Sequence, residues 1–197
     1  MFKTGDMTLL DKSEPRRLAR AVRRRLGREA PDAAALAVGH LPPPFLTRFK
    51  IVAGYLPLGG EIDPQPLLRA FAEAGARLAL PAAEALDAPL AFRAWREGDA
   101  LAPDAVGVPS PLADAPHLAP DLVIVPLLAF DGLGARLGQG GGHYDRTLAA
   151  LRARRPVFAL GLAFAGQEVA SLPAESHDQA LDAILTEIGY IQVSKDL

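Results

Sequence analysis

Residues 120–148 read PDLVIVPLLAFDGLGARLGQGGGHYDRTL. Residues 121–128 form a continuous apolar run of strand length, the pattern of a strand buried on both faces. Residues 131–142 follow as a loop with Gly132, Gly134, Gly138, Gly140, Gly141 and Gly142, and residues 144–154 return to helical spacing. A second apolar strand at 157–162 completes a βαβ unit. The loop between its first strand and its helix can turn N–H groups toward an anion, helped by the positive end of the helix. A merely flexible connection would have the same glycines.

Working outward, residues 49–56 read as a buried strand, 64–76 as an amphipathic helix and 77–80 as another strand, which makes a second βαβ unit. Residues 90–95 alternate as a half-buried strand does, and the proline-rich stretch 101–120 reads as loop. At the start, Ser13, Glu14 and Pro15 signal a helix with a capping hydroxyl, running to Leu26 and stopped by Gly27. A short helix at 32–38 precedes Pro42, Pro43 and Pro44, and a helix at 179–185 with a short segment at 190–193 closes the chain. Alternating strands and helices of this length predict an α/β fold, a three-layer sandwich with a mostly parallel sheet and helices on both faces. Ligands of such sheets bind where strands end and helices begin.

The 197 residues suit one domain, with residues 1–11 as a flexible N-terminal extension. Half the residues are hydrophobic, and 21 Lys plus Arg against 23 Asp plus Glu leave a net charge of −2, which argues against disorder and whole-chain polyanion binding. No run reaches the roughly 18 to 20 apolar residues of a membrane span, and no export signal is visible, so a cytoplasmic protein with no membrane partner is expected. The chain has no cysteine, which leaves oxygen and nitrogen groups for any chemistry. Positive charge gathers at the start, where Arg16, Arg17, Arg20, Arg23, Arg24, Arg25 and Arg28 follow Lys12. Lys12 and Arg16, one turn apart, can face the same anion. The remaining arginines read as a solvated face.

The glycine loop fits neither GxxxxGK[ST] nor the dinucleotide fingerprint GxGxxG, whose last interval and following acid are both missing. Residues 120–148 instead resemble the signature of the 5-formyltetrahydrofolate cyclo-ligases. Four further stretches match in order: 12–26 (KSEPRRLARAVRRRL), 55–62 (YLPLGGEI), 107–111 (GVPSP) and 172–187 (LPAESHDQALDAILTE). The resemblance covers about residues 12–190 and implies an α/β sandwich. It also implies an ATP- and magnesium-dependent ligase that converts 5-formyltetrahydrofolate to 5,10-methenyltetrahydrofolate, ADP and phosphate. In that reaction the formyl oxygen takes the γ-phosphoryl group, and a folate nitrogen then closes the ring as phosphate leaves.

Carried over position by position, the resemblance implies that Lys12, Arg16, Gly138, Gly140, Gly142, His143 and Asp145 meet ATP. Arg136 is a candidate cation beside them. Leu56, Glu61 and Tyr144 would meet folate, the Glu61 carboxylate suiting the amino and ring N–H groups of the pterin. Gln139, Gly141 and Tyr144 fall at the family's catalytic positions, and Asp145 and Asp178 at its magnesium-binding acids, oxygen donors of the kind a hard cation takes. Without the resemblance, Asp145 reads as a favourable charge in a first helical turn and Asp178 as an N-cap. Where the common family version reads GRGKGYYD, this chain has Gln139 for the arginine, Gly141 for the lysine and His143 for a tyrosine. Two cations are thereby lost from the loop, and Arg136, Arg146, Arg93 or a protonated His143 are the candidates to replace them. His177, beside Asp178, suits a surface role better than magnesium ligation.

A monomer or weak homodimer is expected. Two other readings remain open from the residues: a folate- or nucleotide-binding relative without efficient catalysis, and a nucleic-acid-associated protein using the arginine-rich helix. No aromatic stacking stripe supports the latter, so no nucleic acid is expected.

Overall fold

A computed structural model describes residues 12–173 and 175–193. The expected extension at 1–11 lies outside the described residues. In chain order the elements are α1 (Ser13–Glu29), α2 (Ala33–Val38), α3 (Phe45–Arg48), β1 (Ile51–Ala53), α4 (Gln65–Glu73), β2 (Arg77–Ala82), β3 (Ala91–Ala94), β4 (Leu101–Pro103), β5 (Pro109–Pro111), β6 (Leu122–Pro126), β7 (Ala129–Phe130), β8 (Arg136–Leu137), α5 (His143–Arg152), β9 (Phe158–Leu162), a 3₁₀ turn (Ala165–Gln167), β10 (Ala183–Thr186) and β11 (Gly189–Gln192).

A 7-stranded sheet in the order β11-β10-β9-β6-β1-β2-β3 forms the middle layer. Neighbours from β10 to β2 pair in parallel, and β11 and β3 close the two edges antiparallel. Alternate residues serve opposite faces, as the period of a strand demands. Val52, Leu122, Ile124, Leu160, Leu162 and Leu185 pack with Phe45, Leu67 and Phe71 of α3 and α4. Ala53, Val123, Val125, Ala159 and Ile184 face the other way, toward Leu148 and Leu151 of α5. The fold is therefore the expected α/β sandwich, with helices on both faces and a mostly parallel sheet.

Four local expectations need correction. The helix expected at 179–185 is irregular chain to Asp182 and then β10, whose four residues are all buried between β9 and β11; a short, wholly apolar run suits a buried strand and a buried helix equally by periodicity. With that helix goes the N-cap reading of Asp178. The stretch 101–120 contains a two-stranded ribbon, β4 with β5. Helix α1 begins at Ser13 with Lys12 in the cap position and no side-chain cap bond, and it continues through Gly27 to Glu29. Gly27 does not stop the helix; its Cα faces Phe164 and the Gly60 carbonyl, where a Cβ would sit 3.7 and 3.5 Å away.

Candidate active site

Strands β1 and β6 lie side by side, yet the chain leaves β1 through α4 to β2 and leaves β6 through α5 to β9. The loops after these two strands therefore diverge and leave a crevice at their carboxyl ends, the switch point of an open α/β sheet. A cavity of about 390 Å³ opens there, within the size range of small-molecule sites.

One wall is the turn after β1. Gly59 and Gly60 have φ of 57° and 84°, the two left-handed positions of a tight reversal, which is why two glycines stand there. The Glu61 N–H donates to the Leu58 carbonyl at 3.2 Å, closing the turn, and the Leu58 N–H donates to Glu61 Oε2 at 3.0 Å. Gly60 lies against α1, where a Cβ would come within 3.1 Å of the Arg24 Cα. Pressed onto the helix in this way, the turn buries Arg23, which is 2% exposed and donates to Glu61 Oε1 at 3.0 Å. Burial pushes the Glu61 carboxyl above its ordinary value, against the Leu58 N–H and the Arg23 guanidinium, which favour the charged form.

The facing wall is the glycine loop. The β7–β8 ribbon is tied by Asp131, whose Oδ1 accepts the Leu133 and Ala135 N–H groups, each at 3.0 Å. The chain then passes through Gly138–Gly142 into α5, with Gly142 as N-cap at φ 64°. Three loop carbonyls are held by arginines: Gly138 by Arg16 Nε at 3.2 Å, Gln139 by Arg20 Nη2 at 3.2 Å and Gly141 by Arg146 Nη2 at 2.8 Å. The N–H groups from Gly138 to Asp145 have no hydrogen-bond partner among the described residues. Carbonyls held and N–H groups free at a helix start make a concavity suited to an anion.

Between the walls sit Tyr144, Asp145 and the segment before β10. Burial, with the Glu61 charge adding to it, drives the Tyr144 phenol far above its ordinary value, so it stays a neutral donor. The Tyr55 hydroxyl, likewise neutral, donates to the Ile62 carbonyl at 2.7 Å. Arg136 donates to Asp145 Oδ1 and to the Gln179 carbonyl. Lys12 Nζ lies 2.8 Å from Glu175 and 3.9 Å from Asp178.

Every residue that the resemblance places at a ligand, metal or catalytic position lines this one cavity, from Lys12 and Arg16 through Leu56, Glu61 and the loop 138–145 to Asp178. Of the proposed replacements for the missing cations, Arg136 and His143 are among its lining residues. Arg93 is not, being bonded to the Pro111 carbonyl and Glu84 beside a different cavity. Arg146 sits behind the loop, near the Leu86 and Gly141 carbonyls. Arg23 and Arg20 were expected on the solvated face and are not there: Arg23 is buried, and Arg20 Nε donates to Gln139 Oε1 at 2.8 Å. The signal for both was in the sequence, because Lys12, Arg16, Arg20 and Arg23 follow the spacing of one helical stripe. Arg17, Arg24, Arg25 and Arg28 fall off that stripe and are exposed.

Among the described residues no group of three or more His, Cys, Asp or Glu could enclose a metal ion. A magnesium ion held mainly by phosphate oxygens needs only one or two protein carboxylates. Asp145 and Asp178 fit that smaller demand: each lines the cavity, and each has one oxygen already committed, Asp145 Oδ1 to Arg136 and the Gln179 N–H and Asp178 Oδ2 to the Glu175 N–H.

Fold and site together define a doubly wound α/β protein with an anion-accepting glycine loop facing a buried acid across the switch-point crevice. The sequence profile of the 5-formyltetrahydrofolate cyclo-ligase family matches residues 11–187, and the chain belongs to that family of ligases. It is 37% identical over 142 residues to the 5-formyltetrahydrofolate cyclo-ligase of Escherichia coli K12, covering 68% of this chain and 76% of that one. The Mycolicibacterium smegmatis cyclo-ligase is 36% identical over 145 residues, covering 70% and 73%. The solution structure of Aquifex aeolicus 5,10-methenyltetrahydrofolate synthetase superposes with a TM-score of 0.78 at 27% identity over 95% of both chains. A Mycoplasma pneumoniae synthetase shares the fold, with a TM-score of 0.68 at 21% identity over 90% of this chain and 99% of that one.

Proposed function

We propose that this chain closes 5-formyltetrahydrofolate to 5,10-methenyltetrahydrofolate at the expense of ATP. What supports the reading is that residues spread from Lys12 to Asp178, matched to ATP, folate and magnesium by resemblance, line a single cavity at the switch point.

The triphosphate lies on the glycine loop, against the free N–H groups of 138–145 and the Arg16 guanidinium. The pterin lies toward Glu61, whose carboxylate accepts its amino and ring N–H groups, with Leu56 beside it. This arrangement brings the formyl oxygen to the γ-phosphorus. Attack there releases ADP and leaves a phosphorylated imidate. The neighbouring folate nitrogen then adds to the activated carbon, and the C–O bond to phosphate breaks as the five-membered ring closes, the departing phosphate taking the proton of that nitrogen. Tyr144, neutral and placed between the walls, donates to oxygen in both steps. Positioning and neutralisation of charge carry most of such a reaction. Asp145 and Asp178 are the residues to hold magnesium, which when bound neutralises phosphate charge. Arg136 orients Asp145, and Lys12 bridges α1 to the acids of the segment before β10.

The loop lacks two cations of the common family version, each worth about 1.5–3 kcal/mol in contact with a charged group. Arg16, Arg136 and the free N–H groups supply the remaining positive potential at the cavity. The test is the near-ultraviolet absorbance of 5,10-methenyltetrahydrofolate in a mixture of protein, 5-formyltetrahydrofolate, ATP and magnesium, with each withheld in turn. Product that requires all of them is expected. Ligand binding without product would instead make the chain a binding relative.

A further inference from the structure

Arg23 lies in the 12–26 stretch but was assigned no ligand there, yet it is among the largest fully buried side chains of the molecule. Its guanidinium meets four acceptors. Nη1 donates to Glu61 Oε1 at 3.0 Å and to the Leu127 carbonyl at 3.1 Å; Nη2 donates to the Leu58 and Gly59 carbonyls at 3.2 and 3.3 Å. These bonds use all four η hydrogens. The acceptors come from the loop after β1 and from the loop after β6, the two that diverge at the switch point. Leu127 is held from its other side as well, since its carbonyl also accepts Gln167 Nε2 at 2.9 Å. A flat fork with fixed donor directions suits four acceptors as a lysine ammonium does not.

We propose that Arg23 is the positioning residue of the folate half of the site: by clamping both loops it holds the Glu61 carboxylate ionised and in place for the N–H groups of the substrate. The proposal rests on the reading above that Glu61 receives the pterin. A protonated Glu61 would present a hydrogen where the pterin also presents hydrogens, so only the carboxylate accepts both. The charged groups facing Glu61 are few. Arg23 approaches from α1; Tyr55 and Tyr144, both held neutral, approach from the loop after β1 and from α5; Gln139 of the glycine loop is uncharged. Arg23 is thus, among the described residues, the single cation acting on a carboxyl that burial pushes toward the neutral form.

The sign follows directly. Folate affinity falls as pH falls through the raised value of Glu61, and without the Arg23 charge that loss moves to higher pH. The experiment measures 5-formyltetrahydrofolate and ATP binding separately by calorimetry, from about pH 5 to about pH 9, with folding checked by circular dichroism. Wild type, Glu61→Gln, Arg23→Lys, Arg23→Met and the double variant Arg23→Met with Glu61→Gln are compared. Arg23→Met is expected to weaken folate binding about tenfold or more near neutrality, to recover toward high pH, and to leave ATP binding unchanged. Arg23→Lys keeps the charge and loses the fork, so its pH limb stays near that of wild type while its affinity is reduced at every pH. Glu61→Gln and the double variant lose the limb altogether, and the double variant, with neither charge left buried, keeps the comparison open if Arg23→Met folds poorly. If Arg23→Met weakens both ligands alike with the limb in place, Arg23 is structural and the proposal fails while Glu61 keeps its role. If Glu61→Gln binds folate as wild type does at every pH, the assignment of Glu61 fails and takes this proposal with it.

Discussion

The two walls of the cavity are held by the same helix in opposite ways. On the Glu61 side α1 reaches in with one buried arginine that pairs a side-chain carboxylate. On the loop side two partly buried arginines of the same stripe, with Arg146 from α5, take backbone carbonyls and leave the backbone N–H groups free. A wall built on a carboxylate recognises donors, and a wall built on N–H groups recognises an anion. The two halves should therefore fail separately, each taking one substrate with it.

The largest break in that symmetry is expected from Glu61→Gln. Losing the charged acceptor and leaving Arg23 buried without a counter-charge costs about 3–5 kcal/mol, so melting temperature falls and the folate KM rises by about 100-fold, with the ATP KM near wild type. Gly142→Ala strikes the other wall. Alanine at φ 64° costs about 1–2 kcal/mol, and its Cβ would fall 2.6 Å from Arg146 Nη1, so the ATP KM rises while the folate KM holds. Equal rises in both would show that the walls are one unit. Arg16→Ala removes one charged contact, about 1.5–3 kcal/mol, and an ATP KM raised by about 10- to 100-fold in steady-state kinetics is the expected result. The smallest effect belongs to Gly141→Lys, which restores a cation. Its Cβ would lie 2.9 Å from His143 Cδ2, so the ring must turn aside, and a lower ATP KM with the same kcat is expected. An unchanged or higher ATP KM would mean that the free N–H groups already satisfy the phosphates.

The contrast between the walls also marks what could be read from the sequence. The parallel sheet and the ligand loop at its strand end were legible because 121–128 and 157–162 are apolar runs separated by a helix and a glycine loop, a pattern with few alternative folds. Residues 179–185 misled because Ala183, Ile184 and Leu185 are buried in the sheet on both sides, and a run buried all round has no period to read. The candidate residues of the loop and the acids around it were found through family resemblance, and their convergence on one cavity is a property of the fold that spacing alone does not contain. Arg23 and Arg20 were missed for another reason. An arginine in a basic run looks solvated, and only its place on the stripe of Lys12 and Arg16, together with the glycine turn that presses against α1, tells that it is covered.

Pairing Glu61→Gln with Arg16→Ala and determining both KM values in each variant tests the division of the cavity most directly. A crossed result is predicted: the folate KM rises in Glu61→Gln, the ATP KM rises in Arg16→Ala, and each other KM stays within about threefold of wild type, below 1 kcal/mol. Both KM values rising together in both variants would contradict it, and would mean that helix α1 supports one undivided site.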